Sequence, residues 1–194
     1  GYSKLSALEA GLDLKFPDKI LEGISLVVPK AQDGVRKDLT HVPFITIDPT
    51  TAKDFDDAVY VEKMDNGNYT LQVAIADVSH YIPVHSKLYD ELFKRGTSVY
   101  LTDLTIPMLP EELSNDLCSL KPNVERAALL TTMEVSEDGT ILSHGIERAL
   151  IKSHARFEYN QIQSAIDGCG SQETDPFLES HIKPALELRN CLLY

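Results

Sequence analysis

Apolar and polar positions alternate with a period of two over Tyr69 to Ala76, where Leu71, Val73 and Ile75 interleave with Thr70, Gln72 and Ala74. That is the pattern of a strand with two unlike faces. Asp65-Asn66-Gly67-Asn68 supplies a turn just before it, and Ala58 to Glu62 reads as a second strand, so a β-hairpin is predicted. A further strand is expected over Phe44 to Ile47, running into Asp48. Ala127 to Val135 and Ile141 to Ile151 form another strand pair, joined through Glu137-Asp138-Gly139-Thr140.

Helices punctuate this pattern. One is expected around Ser3 to Leu12. Ser86 can cap another that runs through Arg95 and stops at Gly96, with Leu88 and Leu92 one turn apart on its buried face. Ile106-Pro107-Met108-Leu109-Pro110 excludes regular helix, and helix resumes over Glu111 to Leu120. Tyr159 to Ile166 and Ile182 to Leu193 also read as helical. The chain before Val42, broken by Pro17, Gly23, Pro29 and Gly34, reads as a lead-in of residues 1–41, with a single domain over 42–194. No internal repeat is present. The fold class is α/β in the α+β sense, a mixed and largely antiparallel sheet flanked by helices.

Composition narrows the function classes. At 194 residues, 43% hydrophobic and 25% charged, the chain can bury one sizeable core, and it has no apolar run of bilayer length. No membrane partner is expected. Cys118, Cys169 and Cys191 are odd in number and widely spaced, which indicates neither a disulfide framework nor a zinc knuckle and fits a cytoplasmic setting. The net charge of -12 excludes the broad basic surface of a stand-alone nucleic-acid binder.

The same acidity is compatible with a metal site. Asp48, Asp54, Asp56 and Asp57 place four carboxylates within ten residues, offset by Lys53. They can converge only if the chain loops back after Asp48, which Pro49, Thr50 and Thr51 favour. A calcium loop starting at Asp54 fails, because it would need an oxygen side chain at Ala58 and glycine at Val59. A solvated acidic turn and a phosphodiester-cleaving metal site both remain open, the latter with hard oxygen ligands suited to Mg²⁺ or Mn²⁺.

Several blocks in register resemble the catalytic (RNB) domain of the ribonuclease II/R family. They are Phe44-Ile45-Thr46-Ile47-Asp48, Asp54-Phe55-Asp56-Asp57-Ala58-Val59, Val73-Ala74-Ile75-Ala76-Asp77-Val78-Ser79, Arg95-Gly96-Thr97-Ser98-Val99-Tyr100, Ile106-Pro107-Met108-Leu109-Pro110 and Leu113-Ser114-Asn115-Asp116-Leu117-Cys118-Ser119-Leu120. They span about Val42 to Asp167, and the likeness is greater to the ribonuclease R branch. The resemblance implies a 3′-5′ exoribonuclease that degrades single-stranded RNA processively to nucleoside 5′-monophosphates. It implies that Asp48 and Asp57 hold magnesium on the scissile phosphate, that Asp54 and Asp56 complete the site, and that Tyr100 packs on the 3′-terminal nucleotide. For Tyr100 the competing reading is a half-buried core residue.

Other positions stay open in the same way. Asp77 and His80 could face the cleft but read better as structural, and His80 and His85 lack zinc spacing. Asn115, Asp116 and Ser119 could line a substrate channel, though a loop-bonding role is favoured. Arg156 could meet phosphate or sit in a surface ion pair. By the resemblance, the rest of the catalytic domain and flanking oligonucleotide-binding (OB-fold) domains lie outside this chain. It is then expected to be inactive alone, and a non-catalytic RNA- or protein-binding module is the rival class.

Overall fold

The computed structural model describes residues 2–30, 34–166 and 182–188. Helix α1 (Tyr2–Glu9) opens the chain. The core is a closed barrel in the order β1 (Lys37–Asp48), β2 (Asp57–Lys63), β3 (Tyr69–Ala76), β6 (Glu125–Val135) and β7 (Ile141–Glu158). The neighbours β1/β2, β2/β3, β3/β6 and β6/β7 are antiparallel, and closure comes from β1 lying parallel to β7. The expected hairpin is present, pairing Lys63 with Tyr69 across the turn and Ala58 with Ala74 deeper in.

A barrel this narrow needs small residues inside. Ala58, Ala74, Ala76, Ala128 and Ala149 supply them, with Phe44, Leu130 and Ile151 filling the remaining space in the same core. Ala74 faces Leu130 and Ala128 faces Ala149 across neighbouring strands, so no large side chain meets another at those pairs. On one outer face, Ile45, Val59 and Phe157 pack under α3 (Tyr159–Ile166) and α4 (182–188) through Ile162, Ile182 and Leu186. Strands β1 and β2 are therefore covered on both sides.

The first helix stops at Glu9 rather than Leu12, and three elements depart further from the sequence expectation. Strand β1 begins at Lys37 rather than Phe44, with register shifts between Leu39 and Ile45 that bracket Pro43, a residue with no amide to give the ladder. Strand β7 runs on to Glu158 because its second half pairs with β1. The helix expected over Glu111 to Leu120 is a short turn whose Leu113–Leu117 stretch is π-helical. The stretch 189–193 of the last expected helix, Cys169 and Cys191 lie outside the described residues.

Between β3 and β6 the chain makes an excursion that lies over one end of the barrel. It contains α2 (Lys87–Arg95) and a two-stranded ribbon of β4 (Val99–Tyr100) and β5 (Thr105–Ile106). Ser86 caps α2 as expected, its Oγ accepting from the Tyr89 amide at 3.0 Å. Gly96 ends it at φ 71°. Leu88, Leu92, Leu113 and Leu120 sink into the barrel core, which anchors the excursion.

Candidate functional site

Asp48 is the last residue of β1 and Asp57 the first of β2, and the loop 49–56 joins them. The register that pairs Ile45 with Val59 brings the two strand ends together, so the loop does return its carboxylates to one end of the barrel.

That loop is held from several sides. Arg156 Nη2 donates to the Pro49 and Thr50 carbonyls at 2.7 and 3.0 Å. The Thr50 hydroxyl donates to Glu158 at 2.9 Å. Phe55 is buried in the core, so Asp54 and Asp56 on either side of it are left exposed. The Arg156 guanidinium lies 5.0 Å from the Phe55 ring. Ser119 Oγ donates to the Lys53 carbonyl at 2.8 Å and accepts from the Phe55 amide at 3.1 Å, while the Leu120 amide donates to the Phe55 carbonyl at 2.8 Å.

Across from the loop, the ribbon and the segment after it complete a cleft of about 410 Å³. Thr51, Lys53, Asp54 and Asp56 line one side, and Ser98, Tyr100, Thr105, Pro107, Met108, Leu109, Glu111, Ser114 and Asn115 the other. Tyr100 is 72% exposed, so the half-buried core reading does not describe it. Asp48 and Asp57 are not lining residues. They stand at the adjoining ends of β1 and β2, close enough for their charges to act on each other and on Asp56.

The carboxylates repel one another. Burial and the charges of Asp57 and Asp56 raise the Asp48 carboxyl above its ordinary range, with the Thr46 hydroxyl and then Arg156 opposing. Although the Asp56 side chain is exposed, partial desolvation by the atoms packed around the loop and the charges of Asp54 and Asp57 likewise raise its carboxyl. Among the described residues, no three acidic, histidine or cysteine side chains yet converge on one point as a closed metal shell. The donor set nonetheless suits a hard divalent cation, because all of it is carboxylate oxygen. Asp48 Oδ2 is moreover buried without a well-formed hydrogen bond to the described residues, an arrangement that is costly unless something outside the chain satisfies it.

Asp77 is buried beneath Arg36, whose Nη2 donates to it at 2.5 Å, and Ser79 Oγ donates to its other oxygen at 2.6 Å, so its role is structural. His80 packs edge-on against Tyr81 at 4.9 Å and does not line the cleft. Asp116 accepts from Lys121 and Arg126 at 3.0 and 3.3 Å, a loop role, whereas Asn115 lines the cleft. Arg156 braces the loop rather than forming a surface ion pair. Sequence reading missed Glu111, a third carboxylate lining the cleft beside Asp54 and Asp56, and Arg36. Pro110 just before Glu111 was the available signal for the first, and nothing local marks the second.

With the geometry in hand, residues 36–193 match the RNB domain. Ribonuclease R of Thermotoga maritima is 42% identical over 182 residues, which cover 92% of this chain and 26% of that protein. Ribonuclease R of Escherichia coli is 44% identical over 146 residues, covering 75% of this chain and 18% of that one. The fold superposes on Mycoplasma genitalium RNase R, solved in complex with ribose methylated single-stranded RNA, with a TM-score of 0.87 and 31% identity over 98% of this chain and 30% of that one. The chain belongs to the RNB-domain family, and within it is similar to ribonuclease R. It spans a minor part of those relatives' length.

Proposed function

We propose that this chain is the front part of the catalytic domain of an exoribonuclease that degrades single-stranded RNA processively from its 3′ end, releasing nucleoside 5′-monophosphates. The observation that carries this reading is one cleft with Asp54 and Asp56 on one side and exposed Tyr100 on the other, the charges of Asp48 and Asp57 lying close by at the end of the barrel. Similarity to ribonuclease R, one example of which has been solved with single-stranded RNA, supports it.

In the reaction, a water oxygen bonds to the terminal phosphorus and the P–O3′ bond breaks. The shortened RNA leaves with a free 3′-hydroxyl, and the released nucleotide keeps the 5′-phosphate. Asp48, Asp54, Asp56 and Asp57 would hold Mg²⁺, or Mn²⁺ in its place, which when bound supplies a nucleophile at neutral pH and charge stabilisation at phosphate. Tyr100 holds the terminal base by stacking, a contact that tolerates any sequence. The fixed loop backbone keeps the carboxylates in place before substrate arrives, so little reorganisation remains for the reaction itself.

This chain alone is inactive in our reading. A polyanion must be held in line, and orientation can contribute roughly 7–11 kcal/mol. A chain of net charge -12 repels RNA, and the remaining catalytic segments and flanking oligonucleotide-binding domains would supply the grip. The test is to give the full-length protein single-stranded RNA labelled at its 5′ end, with magnesium. Conversion of full-length RNA to a short labelled end product without long intermediates, with mononucleotide released, supports the reading, whereas internal cleavage products or release of label as the first mononucleotide contradict it.

A further inference from the structure

We propose that Arg95 is a positioning residue for the nucleotide cleft, clamping lead-in residues 13–16 against the wall that carries Tyr100. The proposal rests on reading that cleft as an RNA site, although the clamp itself does not.

Arg95 uses its whole guanidinium. Nε donates to Glu91 Oε1 at 2.8 Å, Nη2 to the Lys15 carbonyl at 2.7 Å, and Nη1 to the carbonyls of Asp13 and Pro107 at 3.1 and 3.3 Å. Its carbon lies 3.9 Å from the centre of the Phe16 ring. Only 7% of the side chain is exposed, and 11% of Glu91. An arginine in the last turn of a helix commonly serves the helix end. Here the donors reach Glu91 on the same helix and the backbone of two separate segments, which is a use of the planar fork that a lysine could not reproduce.

The consequence falls on Tyr100. Strands β4 and β5 are two residues each, pairing Val99 with Ile106 and Tyr100 with Thr105, and a ribbon that short is not stable by itself. Buried Ile106 is one anchor. The other runs from Arg95 to Pro107, then through the Met108 amide, which donates to Ser98 Oγ at 2.9 Å just before β4. Gly96 at φ 71° turns the chain from α2 directly into this ribbon. Lys94 also reaches Asp13, but that pair is 67% and 56% exposed and such surface pairs contribute little. The lead-in is thereby part of the cleft's supporting wall rather than a passive connection.

The test uses the full-length protein with Arg95→Gln, Arg95→Lys, Phe16→Leu and Tyr100→Ala, read by hydrogen exchange and by the length of the final undegraded oligonucleotide. Arg95→Gln is expected to speed exchange at the Leu101 and Met108 amides by about tenfold or more while β6 and β7 stay protected, because only a local opening is affected. Its final oligonucleotide should change length in the same direction as that of Tyr100→Ala. Arg95→Lys should fail to restore either readout, and Phe16→Leu, which keeps every hydrogen bond, should give a smaller shift and carries the test if Arg95→Gln does not fold. Parental exchange in the ribbon overturns the clamp. A loosened ribbon with parental products, beside altered products in Tyr100→Ala, overturns the positioning role. If neither Tyr100→Ala nor Arg95→Gln alters the products while the ribbon loosens, the clamp stands and the RNA-site reading fails.

Discussion

Ser119 straddles Asp54, its one hydroxyl donating to the Lys53 carbonyl at 2.8 Å and accepting from the Phe55 amide at 3.1 Å. The residue is fully buried, and Arg126 Nε holds its carbonyl at 3.0 Å. A side chain far along the chain thus fixes the backbone on both sides of a candidate metal ligand. Ser119→Ala is expected to cost about 1–3 kcal/mol, the usual penalty for leaving a buried amide unpaired. It should lower kcat more than it raises KM, because RNA contacts survive while the carboxylate geometry loosens. Denaturant melts and steady-state kinetics check this, and a variant equal to the parent in both contradicts it.

Asp77 and Arg36 form a buried pair with side chains 0% and 3% exposed. Burial works to raise the Asp77 carboxyl, but hydrogen bonds from Ser79 and Arg36 and the Arg36 charge outweigh it and hold it below the ordinary range. A carboxyl lowered on folding binds its proton more readily in the unfolded chain. Its stabilisation is therefore present above about pH 4 and lost as pH falls through the lower folded value. Asp77→Asn should destabilise by about 3–5 kcal/mol at neutral pH, because Arg36 stays charged and buried. It should also flatten the stability profile below pH 4. Chemical denaturation between pH 3 and 7 tests both, and an unchanged acid limb in the variant contradicts the assignment.

Much of this was legible in the chain itself. The alternation over Tyr69 to Ala76 and the cap and stop at Ser86 and Gly96 are local signals, and each element formed where those signals lay. The density of aspartates between Asp48 and Asp57 also singled out the loop that lines the cleft with Asp54 and Asp56. Barrel closure was not readable, since the parallel pairing of Ile45 with Ala155 depends on residues far apart in sequence. Polar Thr40 and His41, then Pro43, disguised the start of β1. In the same way Ser153-His154-Ala155-Arg156 disguised the end of β7, although Ser153 is buried and Phe157 packs on the outer cluster. Arg36 and Arg95 look like surface arginines until their distant carbonyl acceptors are known.

Tyr100, at 72% exposed on the cleft lip, can be removed at little cost to the core. Tyr100→Ala in the full-length protein should change the length of the last undegraded oligonucleotide and weaken binding of short RNA by about 1–3 kcal/mol, the worth of one stacked base. Turnover on long RNA should fall less, since many other contacts hold the strand. Gel analysis of end products with a binding titration of short oligonucleotides is the check. Products and affinity identical to the parent's contradict the stacking role.

Asp56 lies among repelling charges on the cleft, its carboxyl raised by partial desolvation and by Asp54 and Asp57. The most direct measurement is release of nucleoside 5′-monophosphates from single-stranded RNA across a magnesium titration, for the full-length protein and its Asp56→Asn variant, with melting temperature and RNA affinity recorded beside it. The parent's turnover should rise with magnesium and vanish with a chelator. Asp56→Asn should lose about two to three orders of magnitude in kcat, as when one preorganised stabilising group is removed. Its RNA affinity should be retained, and its melting temperature should match or exceed the parent's because one repelling charge is gone. Near-parental turnover by the variant at saturating magnesium, or turnover by the parent that a chelator leaves intact, would contradict a carboxylate-held metal at this cleft.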